Sequence, residues 1–222
     1  MLRNRSGVGR RERVGQGLGR HGGPPVTTLD PGGCSYTDSW NGGTGGAAAA
    51  GDLHLVELRQ LLERNWLAGD RRAIAGVSAG GCGAIEYAAR QPGLFRFAAS
   101  YSGVSDPLGN VAFWNPPRDV WGDPVAQADI WKAHDPLLNA AALRGTALFV
   151  AYGNGKVGPL DYLNENGTPW DPGGAVEREC GIESAALVQR LNELKIPVTA
   201  WPMATARTAT PTSGAICSDR CR

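Results

Sequence analysis

Histidine, paired cysteine and net charge are all scarce in this sequence. Its 222 residues hold three histidines, at positions 21, 54 and 134. The five cysteines (Cys34, Cys82, Cys180, Cys217 and Cys221) form no C-x-x-C pair, which argues against a zinc ribbon or a dithiol redox motif. No cluster of His, Cys, Asp or Glu has metal-ligand spacing, and no dinucleotide-binding fingerprint occurs, so neither metal nor cofactor is expected. Lys and Arg number 22 against 21 Asp and Glu. So even a balance argues against a nucleic-acid partner or an anionic membrane surface. No apolar run approaches the roughly eighteen residues of a membrane span. No apolar stretch follows the arginines near the N-terminus, so no secretory signal is expected in this chain. Internal repeats are absent too. What remains is a chain long enough for one sizeable core, with 32 glycines and 15 prolines that predict many loops.

Residues 1–25 are Arg- and Gly-rich without apolar periodicity and read as a disordered or irregular tail. Residues 26–202 read as the domain, and 203–222 as a tail foreign to it. A weak strand is expected at 26–30. Leu55, Leu58, Leu61, Leu62 and Trp66 recur at helical spacing, predicting an amphipathic helix that ends near Gly69. A short buried strand is expected over 71–77, and a helix over 82–90 stopped by Gln91-Pro92. Further strands are expected over 97–102, 146–152 and 197–201, and a helix over 181–195 with Leu187, Leu191 and Leu194 on one face. Residues 106–137 show no regular period and read as an excursion from the core. Strands alternating with helices predict an α/β domain with a mostly parallel sheet.

Gly76-Val77-Ser78-Ala79-Gly80 matches G-x-S-x-G between a predicted strand and a predicted helix, the context of a nucleophile elbow. The two glycines keep side chains from colliding across so sharp a turn. Ser78 is then exposed at the carboxyl end of the sheet, and the Ala79 N–H can donate to a developing oxyanion. The duller alternatives are a Gly-rich phosphate turn and a plain packing turn. An ordinary hydroxyl also needs a base, usually a histidine oriented by a carboxylate. In this fold the order along the chain is Ser, acid, His. His21 and His54 precede the serine. His134 follows it without a carboxylate-bearing strand end between, and no histidine follows the last predicted strand.

The stretch RRAIAGVSAGGCGAIEYAARQPGLFRFAASYSGVSDPL (71–108) resembles the elbow region of the antigen 85-type mycolyltransferases and the related actinobacterial esterases. Four more segments resemble family motifs in the same order: Cys34 to Trp40, Trp121-Gly122-Asp123-Pro124, His134-Asp135-Pro136-Leu137-Leu138-Asn139, and Tyr152-Gly153-Asn154-Gly155. Together they cover roughly 32–202. The resemblance implies an alpha/beta-hydrolase fold whose mostly parallel sheet is flanked by helices and incomplete at both ends. It implies a serine acyl-enzyme on Ser78 acting on an acyl ester or glycolipid-type small molecule, with water or a sugar hydroxyl as acceptor. It also implies an extracellular or cell-envelope location. The family's acid, a glutamate in a short segment before the penultimate helix, corresponds to Glu177, with Glu179 as second candidate; an exposed glutamate at a helix start is the rival reading for each. Asp38 and Trp40 correspond to a substrate-side loop, local packing being the equal alternative.

The departures are as informative. The family's histidine follows the last strand in a G-T-H-S-W/Y motif, where this chain has Met203-Ala204-Thr205-Ala206-Arg207-Thr208-Ala209-Thr210. A GC-rich back-translation of that segment, regrouped by one base, encodes Gly-Asn-Gly-Thr-His-Ser-Tyr. The expectation is therefore a nucleotide lost near the codon for Met203, with the histidine falling near Thr208. No first strands or second oxyanion loop are recognisable before Val26, and His21-Gly22-Gly23 is read as a chance match. The functional expectation is an esterase or acyltransferase with little or no turnover. The alternatives are a non-catalytic carbohydrate- or matrix-binding protein, whose seven tryptophans would form a binding surface or simply pack, and a decayed product without a stable fold.

Overall fold

Four short strands, each centred on alanine or a β-branched or aromatic residue, pair in chain order and all in parallel. They are seen in a computed structural model that describes residues 26–27, 36–42, 49–114, 118–158 and 171–203. The first described helical segment comprises α1 (Ala50–Asp52), a π-helical stretch (Leu53–Leu58) and α2 (Arg59–Trp66). Then come β1 (Ala73–Val77), α3 (Ala79–Arg90) and β2 (Phe97–Tyr101). Three short helices follow, α4 (Val111–Trp114), α5 (Arg118–Trp121) and α6 (Ala128–Ala133), and a 3-10 turn (Ala140–Leu143). The chain closes with β3 (Ala147–Tyr152), α7 (Asp171–Glu193) and β4 (Val198–Pro202).

Alternation along the strands decides what each face meets. Ile74, Ala98, Leu148 and Val198 turn to the side where Ile85, Ala88 and Ala89 of α3 pack with Leu187 and Leu191 of α7. Leu143 and Ile196 complete that core. The other face carries a smaller group, Ala99, Phe149 and Ala151, flanked by Tyr101, Trp201 and Met203. Among the described residues β1 is paired on one side only. This is the α/β architecture expected from the alternation of strands and helices.

Three expectations need correction. The last helix begins ten residues before the expected 181. Pro172 lies in its first turn, where a missing N–H costs nothing. Gly181, which reads as a helix boundary, instead lets α7 approach the end of β3: a Cβ there would run into the Gly153 carbonyl. The helix before β1 is present, but α2 buries none of its residues, and Leu61 and Trp66 are 55% and 61% exposed. A π-helical stretch precedes α2, with His54 and Leu55 buried. The 106–137 segment is no structureless excursion; Val120, Trp121 and Trp131 form a second small core with Ala50. Val26 and Thr27 lie in no strand, and the rest of the 26–30 candidate falls outside the described residues. So do the 1–25 and 204–222 tails, His21, Cys34 and the Thr208 position.

Candidate active site

Ser78 ends a strand and opens a helix at once. Its N–H donates to the Tyr101 carbonyl at 2.9 Å, continuing the β1–β2 ladder by one residue. Its own carbonyl accepts from Gly81 N at 2.9 Å and Cys82 N at 3.1 Å, which starts α3. Meeting both demands in one residue forces φ 55° and ψ −122°, outside the regions that L-residues favour and costing on the order of 1–3 kcal/mol. Gly76 permits the bend, since a Cβ there would overlap the Gly80 carbonyl. Gly81 allows α3 to close on β2, where a Cβ would lie 2.7 Å from Ser100 Oγ. Ser78 is half-buried and Ala79 exposed. The Ala79 N–H belongs to the first turn of α3, where helical N–H groups have no partner within the helix.

The ends of the four strands are stitched side by side. Ser102 N donates to Ala151 O at 2.7 Å, and Met203 N to Tyr152 O at 2.8 Å. Ser78, Ser102, Gly153 and Met203 therefore line the carboxyl edge of the sheet. Glu177 reaches this row from α7. Its Oε1 accepts from Ser102 Oγ at 2.8 Å and from Gly153 N at 2.5 Å, and the residue is fully buried. That corrects one expectation: Glu177 lies inside α7 rather than in a segment before it, and it is not exposed. Ser102 went unnoticed in the sequence; its only local signal is a serine-glycine pair at a strand end.

The other candidates have different surroundings. Glu179 accepts from Asn110 Nδ2 at 3.2 Å and is partly exposed. The Asp38 carboxylate accepts the Asp52 N–H at 3.1 Å, so at least one of its oxygens serves local structure. Trp40 is 45% exposed, with its N–H held by the Val120 carbonyl at 2.7 Å. His54 Nδ1 lies 2.9 Å from the Tyr87 hydroxyl. His134 Nδ1 lies 2.5 Å from Glu86 Oε1 and 3.5 Å from Arg90 Nη1, with its ring stacked on Trp121 at 5.6 Å. Glu86 and Tyr87 stand more than two turns beyond Ser78 on α3, roughly 12 Å along its axis. Both described histidines are thus bonded far from the elbow.

Burial sets the electrostatics around α3. Desolvation pushes the Glu86 carboxyl above its ordinary range, against the opposing pull of His134 and Arg90. It also drives the Cys82 thiol well up, helped by Glu86 and Asp135, and raises Cys180 likewise. Both are free, buried thiols and poor nucleophiles at neutral pH. Among the described residues no group of three or more His, Cys, Asp or Glu is arranged to hold a metal ion. No described helix is long and apolar enough to cross a membrane.

Comparison with known proteins adds a family. The Esterase family model matches residues 28–164. Esterase Rv1288 of Mycobacterium tuberculosis is 31% identical over 116 residues, which cover 46% of this chain and 25% of that protein. The chain thus spans about a quarter of the curated relatives it matches. The crystal structure of Mycobacterium tuberculosis MPT51 superposes with a TM-score of 0.66 at 22% identity, covering 85% of this chain and 73% of that one. An S-formylglutathione hydrolase from Agrobacterium tumefaciens gives a TM-score of 0.62 at 16% identity, covering 84% and 60%. Both structures share the fold.

Proposed function

The chain is a member of the Esterase family, its motifs resemble those of the antigen 85 type, and on that premise we propose that Ser78 is the nucleophile of an ester-processing site. The observation that carries this reading is the Ser78 backbone, held at φ 55° between β1 and α3. In the proposed reaction Ser78 Oγ attacks the carbonyl carbon of a carboxylic ester, its proton passing to a base. The Ala79 N–H stabilises the negative charge that develops on the carbonyl oxygen. Collapse, with the Ser78 proton returned to the departing oxygen, expels the alcohol and leaves an acyl group on Ser78. Water or a sugar hydroxyl then attacks the acyl carbon, and its proton passes back to Ser78 Oγ as the acid or new ester is released. Glu177 is the proposed orienting acid. It stands at the same sheet edge, over the ends of β2 and β3, where a base arriving from beyond β4 would pass between it and Ser78.

No histidine follows His134 in the sequence, so this polypeptide has no candidate base of the usual kind in that place. Removing one member of such a triad costs several orders of magnitude in rate. Feeble turnover is therefore expected, on a small acyl ester or glycolipid-type substrate. The test is labelling of the intact chain with a fluorophosphonate probe, which phosphonylates an activated serine. Slow labelling, abolished in Ser78→Ala, is expected; labelling unaffected by that substitution would reject the assignment. The anchoring of His54 and His134 near residues 86 and 87 favours a second reading, a non-catalytic binder of carbohydrate or matrix. No labelling together with saturable sugar binding would select it.

A further inference from the structure

Beside the elbow helix, one aromatic side chain is held at a cost. Tyr36 has φ 63°, a left-handed backbone that a bulky residue seldom adopts. Its ring lies over the early turns of α3 on a track of glycines. A Cβ on Gly83 would sit 2.6 Å from Tyr36 Cγ, and a Cβ on Gly80 would sit 3.3 Å from the Tyr36 hydroxyl oxygen. The hydroxyl therefore points back along α3 toward its N-terminus, reaching the level of Gly80, two residues past Ser78. The ring is braced edge-on by Tyr87, centroids 6.4 Å apart at 88°, and by the tilted ring of His54 at 6.3 Å and 44°.

The following residues fix the segment. Thr37 Oγ1 accepts from Trp121 Nε1 at 2.7 Å, Asp38 accepts from Asp52 N, and Trp40 N donates to Val120 O. Anchors at Thr37, Asp38 and Trp40, a left-handed backbone at Tyr36 and a glycine track against its ring together fix the place of the hydroxyl. Tyr36 is neither fully buried nor fully exposed.

We propose that Tyr36 is a specificity-determining residue of the Ser78 site, its hydroxyl hydrogen-bonding an oxygen of the ester or phosphonate bound there. This rests on the assignment of Ser78 as the nucleophile. A tyrosine hydroxyl both donates and accepts, so a structural partner does not preclude a bond to substrate.

The experiment compares fluorophosphonate labelling rates of the unaltered chain, Tyr36→Phe and Gly83→Ala, with thermal unfolding of each. Tyr36→Phe should slow labelling about tenfold, the worth of roughly one hydrogen bond, and leave Tm unchanged. Gly83→Ala, whose methyl would meet the root of the Tyr36 ring, should displace the ring, slow labelling similarly and lower Tm as an overpacked contact does. Equal labelling rates in Tyr36→Phe would overturn the proposal while leaving Ser78 in place, and so would a rate loss in Tyr36→Phe matched by a fall in its Tm. No labelling of the unaltered chain would overturn both assignments.

Discussion

The Ser102 hydroxyl donates to Glu177 Oε1 at 2.8 Å, joining the end of β2 to the second turn of α7 across 75 residues of sequence. The Gly153 N–H donates to the same buried carboxylate oxygen. A buried charge with too few donors is costly, so this acid depends on both.

Glu177→Gln should therefore destabilise the protein by roughly 1.5–3 kcal/mol, the range for hydrogen bonds to a charged group. Ser102→Ala should cost about 1 kcal/mol or more. Because the two share one bond, the double variant should cost less than the sum, with a coupling of at least ~0.5 kcal/mol. Urea denaturation of the four proteins measures it, and strict additivity would deny the coupling.

Gly76→Ala tests the bend at the serine. The new methyl meets backbone of α3, not a side chain that can swing aside, so the cost should reach or exceed the ~1–3 kcal/mol of an overpacked core. Gly69→Ala, where nothing lies within 4 Å, is the control and should leave Tm essentially unchanged. Equal Tm values would show that the bend has slack.

The buried Glu86–His134 pair lends itself to a third measurement. His134→Ala leaves Glu86 with Arg90 alone, while Glu86 Oε2 already has no hydrogen-bond partner. Breaking a buried pair from one side costs roughly 3–5 kcal/mol; the 34% exposed Arg90 side chain should hold this case near 3. Glu86→Gln in the His134→Ala background should recover part of the loss by removing the stranded charge.

Stability should also depend on pH through Asp135. Burial, assisted by the neighbouring Asp106, pushes its carboxyl up to about 7, against the N–H groups of Leu138 and Leu108 that favour the charged form. An acid whose folded pKa exceeds its unfolded value keeps its proton better when folded. Its contribution is complete below about pH 4 and is lost as pH rises toward 7. Asp106→Asn replaces the repelling carboxylate by a donor, so the fall in stability between pH 4 and 7 should be smaller than in the parent. Urea midpoints across that range report it, and identical slopes would refute the coupling.

Much of this organisation is legible in the sequence, and the exceptions have physical causes. β1 to β4 are runs of alanine, β-branched and aromatic residues bounded by turns, so local composition marks them. Pro172, Gly173 and Gly174 look like loop residues by the same local rules, yet the chain is helical there because α7 packs on β3 and needs Gly181 against Gly153. The π turn at Leu53–Leu58 leaves no mark that an apolar period of 3.6 can detect. At the candidate site, Gly76, Ser78 and Gly80 announce themselves because a tight bend demands them in one short stretch. The segments holding Tyr36 and Gly153 are marked as motifs, but the individual contacts of Tyr36, Ser102 and Gly153 are not, because they arise only with distant segments.

The order of the strands has a consequence for how this chain is made. Each strand of the described sheet pairs with the one synthesised just before it, so no strand must wait for a distant one to slot between two already placed. The sheet can grow as the chain leaves the ribosome, β1 and α3 docking first and β4 last. Ser78 would then adopt its bend early in synthesis, while Glu177, carried by α7, would arrive only after β3 is in place. A nascent chain arrested before α7 should already be protected from protease around α3 and still lack the buried carboxylate.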